Sequence, residues 1–277
     1  MILSSEIMVL VGLIIGILAY VLLYLGKGIQ KYAIEGLKID KSIKSKHSVT
    51  WIFGTVLTTT YFFVQWAALF FAPINIIAPL GGIGLLVLIF FSYYVLHEEI
   101  HKIQIIGIIF IIIGTTIVNL FNPNTGEIYA EDFNLSIFLA FSLPIITIEV
   151  IAIIISKLKD YVAAGFIIGT TSGTFNALQT VSKRITAIPD PVLTIIFILI
   201  TFLTAVLTLI FTQYAFTKAK ANITIPCYTS ASISLAVIIS LIALNEKIEI
   251  IQVIGLIIII LGVIFVSAFS EEVKRET

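Results

Sequence analysis

The residues with the most distinctive chemistry are polar ones set inside long apolar runs. Ser172, Asn176, Gln179 and Lys183 fall at i, i+4, i+7 and i+11. On a helix turning 100° per residue this spacing makes one stripe roughly 60° wide. Gly165, Gly169 and Gly173 form a ridge overlapping it, so this face meets protein or water and not lipid. The stripe serves either close packing joined by hydrogen bonds or the lining of a cavity. Gln65 and Gln213 lie 148 residues apart in two other apolar runs and are read as lining the two halves of one cavity. Glu149 lies eight residues before Lys157, about 12 Å up a helix at 1.5 Å per residue. A carboxylate at that depth costs several kcal/mol unless paired, hydrated or protonated. It is read as a cation or proton site, against the alternative of a structural carboxylate bonded to a neighbouring helix. The predicted substrate site is therefore Gln65, Glu149, Ser172, Asn176, Gln179 and Gln213. No residue set identifies a metal, no cofactor is expected, and no catalytic residue is assigned.

Two weaker signals flank these. Thr201, Thr204 and Thr208 form a hydroxyl stripe that threonines can satisfy on their own backbone, so packing is the expected role. His97-Glu98-Glu99-Ile100-His101 matches H-E-x-x-H, in which two histidines at i, i+4 bind zinc and the glutamate acts as base. An intramembrane zinc metalloprotease is thus the alternative from another class. Against it stands a second copy of the same stretch, Asn245-Glu246-Lys247-Ile248-Glu249. It keeps the glutamate without either histidine, and so reads as a turn carboxylate capping the following helix.

That second copy belongs to a longer repeat. At an offset of 148, Glu98, Gln104, Gly107 and Gly114 match Glu246, Gln252, Gly255 and Gly262, and Pro79 matches Pro226 after a one-residue gap. Gly12 and Gly16 align with Gly169 and Gly173, and Lys27 falls opposite Lys183. Fixed spacing of this kind marks an internal repeat.

The elements that must carry these residues are membrane helices. Of the 277 residues 59% are hydrophobic and 12% charged, with a mean hydropathy of +1.15. A soluble domain has roughly 25% charged residues. Nine spans are predicted, at 7–26, 49–71, 74–96, 103–121, 135–156, 162–181, 192–216, 222–244 and 249–269. The first lacks a basic leader and a cleavage site and reads as a retained span. The single cysteine rules out a disulfide framework or cysteine cluster. Zero net charge and the lack of a large basic cluster argue against nucleic acid, and no nucleotide-binding motif is present.

The stretch 27–47 reads as a lysine-rich solvated loop, and 121–133 as an acidic one. Lys27, Lys31, Lys38, Lys41, Lys44, Lys46, Lys102, Lys157, Lys159, Lys218, Lys220, Lys274 and Arg275 fall on one side, against Lys183, Arg184 and Lys247. By the positive-inside rule the N-terminus is outside and the C-terminus cytoplasmic in a plasma-membrane protein. Five crossings separate the repeated hairpins, so they point oppositely through the membrane. The expected fold is all-α and polytopic. A first repeat covers 1–122, an acidic loop and connector span 123–158, and a second, inverted repeat 159–277. Inverted repeats are the mark of secondary transporters.

The hairpins resemble those of the drug/metabolite transporter superfamily, in particular EamA-type permeases. Pro79, Glu98, Gln104 and Gly107 match that pattern, as do Pro226, Glu246, Gln252 and Gly255. Within it the chain is most similar to NIPA-type magnesium transporters. The run Phe71-Ala72-Pro73 followed by Ala78-Pro79-Leu80-Gly81 and the run Gly26-Lys27-Gly28 carry that resemblance. It differs where that family has a Glu-Ala-Ala-Asn-like stretch in the second span, since here the chain reads Phe62-Phe63-Val64-Gln65. The expected function is a secondary permease moving a small polar metabolite or cation by alternating access, with a magnesium or divalent-cation transporter as the alternative. Its partners are the transported solute and membrane lipids, with a homodimer left open.

Overall fold

The computed structural model describes residues 5–39, 44–97, 102–121 and 130–268. They form ten α-helices: α1 (Ser5–Ile39), α2 (Lys44–Phe71), α3 (Ile74–Ile77), α4 (Leu80–Tyr94), α5 (Lys102–Leu120), α6 (Leu135–Leu158), α7 (Ala164–Ile185), α8 (Pro191–Lys218), α9 (Ala221–Ala243) and α10 (Ile250–Ala268). A 3-10 turn at Ala130–Asp132 precedes α6, and no strand occurs among the described residues.

Local chemistry sets most boundaries. Asn134 caps α6 by accepting from the Ile137 amide, and Asp190 caps α8 by accepting from the Val192 and Leu193 amides ahead of Pro191. Each is a side-chain oxygen satisfying amides that a helix start leaves unpaired. Pro73 and Pro79 lack the N–H that would join α2, α3 and α4 into one rod, so the segment is broken at each. The turns after α4 and α9 pass through His97 at φ 53° and Asn245 at φ 52°, two left-handed residues at matched positions.

Six segments are long and apolar enough to cross a membrane: Ile7–Leu37, Lys46–Phe71, Ile74–Tyr94, Leu135–Leu158, Pro191–Lys218 and Ile223–Ala243. These six, counted among the described residues by length and composition, do not confirm the predicted nine. α5 and α10 contribute shorter apolar stretches, Ile105–Val118 and Ile250–Gly262. α7 is too polar, for a physical reason: nearly all of it is buried. Packed among α8, α9, α6 and α2, it has little lipid to satisfy. The glycine ridge makes this possible. A Cβ at Gly165 would lie 2.7 Å from Ala219 Cβ, one at Gly169 2.8 Å from the Thr224 carbonyl oxygen, and one at Gly173 would overlap the Tyr228 carbonyl.

The glycines of the repeated hairpins pair with each other. Gly114 packs on the Gly255 carbonyl, and Gly262 on the Gly107 carbonyl, so α5 and α10 cross antiparallel with backbones touching at two levels. Gln252 closes the start of α10 by accepting from the Glu249 amide at 2.9 Å, and it donates to the Val118 carbonyl of α5 at 2.9 Å. The helix cap expected of Glu246 is thus supplied by Gln252. Glu246 is instead paired with Arg184 of α7, 3.6 Å away. Gln104 lies in α5, and Glu98 lies outside the described residues.

The lysine-rich loop is corrected as well. α1 continues 35 residues, to Ile39, so Lys27 and Lys31 are helical, and each is only 3% exposed. Lys31 donates to the Phe216 and Ala219 carbonyls at 3.2 and 2.9 Å and pairs with Glu35 at 3.0 Å. Those carbonyls end α8, where a cation is favourable. The positive-inside tally loses these two charges on one side. Lys183 and Arg184 on the other side are buried too.

Candidate substrate cavity

A cavity of about 210 Å³ lies among α1, α2, α7, α8 and α9. Its polar wall holds Lys27 and Gln30 of α1, Thr55, Thr58 and Thr59 of α2, Asn176 and Gln179 of α7, and Thr208 and Thr212 of α8. Two bridges join α2 to α8. At one the Phe202 ring meets Phe62 and Trp66, with centroids 5.3 and 6.2 Å apart. At the other Trp51 Nε1 donates to Gln213 Oε1 at 3.0 Å. Between them the cavity reaches the bundle surface beside Phe63 and Val206, 54% and 55% exposed.

The structure brings together some predicted site residues and separates others. Asn176 and Gln179 line the cavity, with Asn176 donating to Ser232 Oγ at 2.6 Å. Ser172 sits behind the wall, bonded to the Thr212 hydroxyl and donating to the Thr208 carbonyl at 3.0 Å. Gln213 is held between Trp51 and Gln30, donating to Gln30 Oε1 at 2.8 Å. Gln65 is fully buried and works one layer deeper. Its amide donates to Tyr20 Oη and Thr180 Oγ1 at 3.1 and 3.2 Å, and its oxygen accepts from Lys183 Nζ at 2.9 Å. Lys183 also donates to the Phe62 carbonyl at 2.9 Å.

Glu149 stands apart. It accepts from Thr174 Oγ1 at 2.6 Å, and Thr174 is two residues, roughly 200°, around α7 from both Ser172 and Asn176. The α6 carboxylate therefore reaches the face of α7 turned away from the cavity. Thr201 and Thr204 donate to the Phe197 and Ile200 carbonyls, both at 2.7 Å, the packing role expected of that stripe; Thr208 departs from it, lining the cavity with its hydroxyl unbonded among the described residues.

The helical form of the zinc-protease motif is not met at its first histidine. His97 occupies a left-handed turn between α4 and α5, so no helical i, i+4 face starts there. His101 lies outside the described residues, among which no three potential metal ligands cluster.

Sequence reasoning missed Lys27, Gln30 and Thr212 as cavity residues. Lys27 Nζ lies 3.7 Å from the Tyr228 ring centroid and donates to Thr212 Oγ1 at 3.1 Å. Its match to Lys183 in the internal alignment was the available signal. Among the described residues no carboxylate lines the cavity.

A bundle of membrane-crossing helices around a mostly apolar cavity with polar side chains set into its wall fits a membrane transporter. The chain belongs to the NIPA magnesium transporter family: the family model described as "Magnesium transporter NIPA" matches residues 7–271. Similar curated proteins include two from Arabidopsis thaliana, each aligned over 103 residues, or 37% of this chain. "Probable magnesium transporter NIPA3" is 24% identical with 28% of its length covered, and "Probable magnesium transporter NIPA1" 25% identical with 31% covered. The chain thus matches under a third of the length of either relative. No solved structure matches.

Proposed function

We propose that this protein transports a small cation across the membrane by alternating access, and that its cargo is divalent, with Mg²⁺ the first candidate. Family membership supports a transporter, and the names of the relatives favour magnesium over a small organic metabolite. The observation that carries the mechanism is the cavity walled by α1 and α2 on one side and α7, α8 and α9 on the other, with Lys27, Gln30, Asn176 and Gln179 among its lining. In this reading the transport unit is two inverted halves, 1–122 and 159–277, joined through 123–158. The antiparallel α5–α10 contact supports that division. The cell membrane, an outside N-terminus and a cytoplasmic C-terminus belong to the same proposal.

Mg²⁺ sheds its water reluctantly. Hydroxyls and amide oxygens at Gln30, Thr55, Thr58, Asn176 and Gln179 would hold it through retained waters and not by direct ligation. Weak outer-sphere holding suits a carrier, which must release what it binds.

The test is growth of a bacterial host lacking its own magnesium uptake systems. Expression of this chain should restore growth at low magnesium. Failure of a well-expressed, correctly inserted protein to do so would overturn the assignment of magnesium as cargo.

A further inference from the structure

Four basic side chains are buried in the bundle, and three of them end on oxygens that offset their charge. Lys31 reaches two carbonyls and Glu35. Lys183 reaches the Phe62 carbonyl and the Gln65 amide oxygen. Arg184 reaches Glu246 and the Leu69 carbonyl. Lys27 differs: among the described residues its ammonium meets only the Thr212 hydroxyl and the face of Tyr228. An ammonium has three N–H donors; with one on Thr212 and one facing the Tyr228 ring, the third remains for the cavity. Beside it are two further buried groups with no hydrogen-bond partner among the described residues, Tyr228 Oη and Thr208 Oγ1, on residues 1% and 7% exposed. Buried polar groups are ordinarily paired, and an exception calls for a missing partner.

We propose that this corner of the cavity is a binding site for an oxyanion, a carboxylate or phosphate group gripped by Lys27, Tyr228 and Thr208. The charge balance points that way, because the cavity presents one cation and no carboxylate among its described lining residues. Hydroxyls turn to donate when an acceptor arrives, and a charged donor makes such bonds shorter and stronger. The volume, about 210 Å³, equals the share of roughly seven waters at ~30 Å³ each, enough for a group of phosphate size. The site goes beyond the cation reading. Its one consequence for that reading is that a divalent ion crossing here travels beside an anion that offsets Lys27. The oxyanion has two possible sources: a soluble ion, or a lipid headgroup entering between α2 and α8 past Phe63 and Val206.

Isothermal titration of the protein in dodecyl maltoside micelles, which carry no phosphate, with inorganic phosphate and with succinate, tests this directly. The wild type should bind at least one of them, Lys27→Gln should bind it roughly ten- to hundredfold more weakly, and Lys27→Arg should retain most of the affinity. If Lys27→Gln does not fold, Tyr228→Phe, which removes only a hydroxyl, should still weaken binding several-fold. In phosphatidylglycerol nanodiscs, competition with the added anion assigns the site to a lipid headgroup, and unchanged affinity assigns it to a soluble ion. No binding in the phosphate-free detergent, or equal affinity in a folded Lys27→Gln protein, overturns the proposal. Anion binding without magnesium rescue would sink the magnesium assignment alone, and rescue without anion binding would sink this one alone.

Discussion

Arg184→Met should lower the melting temperature of the purified protein steeply, and adding Glu246→Leu should recover most of the loss. Arg184 and Glu246 are 1% and 8% exposed, with Nε and Oε1 3.6 Å apart. Arg184 Nη1 also donates to the Leu69 carbonyl at the end of α2, at 2.9 Å. The pair therefore ties the α9–α10 turn to α7 and the end of α2. Removing one partner of a buried pair leaves an uncompensated charge, at a cost of about 3–5 kcal/mol, whereas replacing both with apolar groups is often neutral.

The loss should depend on pH. Glu246 lies in the connection between α9 and α10, where burial pushes its carboxyl above the usual range and the Arg184 guanidinium pulls it back down. Without Arg184 the upward push loses its largest opponent. An acid whose folded pKa exceeds its unfolded one gives stability that is complete below the unfolded value and is lost as pH rises through the folded value. Arg184→Met should therefore sit closer to the wild type at pH 5 than at pH 8. An equal deficit at both, or a double variant no better than the single, would contradict the pairing.

The second large effect belongs to the glycines between α5 and α10. A Cβ on Gly114 would lie 2.5 Å from the Gly255 carbonyl oxygen and 2.9 Å from the Ile259 nitrogen, and one on Gly262 2.5 Å from the Gly107 carbonyl oxygen. These obstacles are backbone atoms, so no rotamer change relieves them and the helices must separate. Overpacking of this kind costs about 1–3 kcal/mol, and membrane helix pairs depend on close approach for their attraction. Gly114→Ala and Gly262→Ala should each lower the melting temperature in detergent, and Gly114→Leu should abolish monodisperse protein. Gly81→Ala is the comparison, because its Cβ would meet only side chains, Tyr20 Cε1 at 3.2 Å and Ile233 Cδ1 at 3.6 Å. Equal tolerance at Gly81 and Gly114 would contradict the crossing.

These glycines were legible in the sequence. Gly107, Gly114, Gly255 and Gly262 stood out by spacing alone, because a backbone crossing leaves no choice of residue. Gln252 stood out only as a repeated position; the cap it supplies was expected of Glu246, because either side chain offers the acceptor a helix start needs. The helices themselves followed from apolar runs of the right length, and Asn176 and Gln179 from a polar stripe on one face.

What could not be read depended on neighbours far along the chain. Lys27 and Lys31 end the apolar run of α1 and look like the start of a loop, yet carbonyls and rings from α8 and α9 receive them and the helix runs on. Glu149 stood out as a carboxylate within an apolar helix, but which face of α7 it meets depends on how α6 packs. Glu246 was marked by the repeat, and its partner Arg184, 62 positions earlier in the chain, by nothing local. α7 escapes a hydropathy criterion because protein surrounds it in place of lipid.

If the cation crosses through the cavity walled by α1, α2, α7, α8 and α9, a bulky group fixed to that wall must stop it. Cys227, the chain's single cysteine, is buried, so a Cys227→Ala background carrying Thr58→Cys places one reactive thiol on the cavity wall. The measurement is Mg²⁺ entry into liposomes reconstituted with this protein, before and after complete labelling with a water-soluble thiol reagent. The prediction is influx well above that of protein-free liposomes, stopped by the label. Influx no greater than in protein-free liposomes, or undiminished after full labelling, would contradict it.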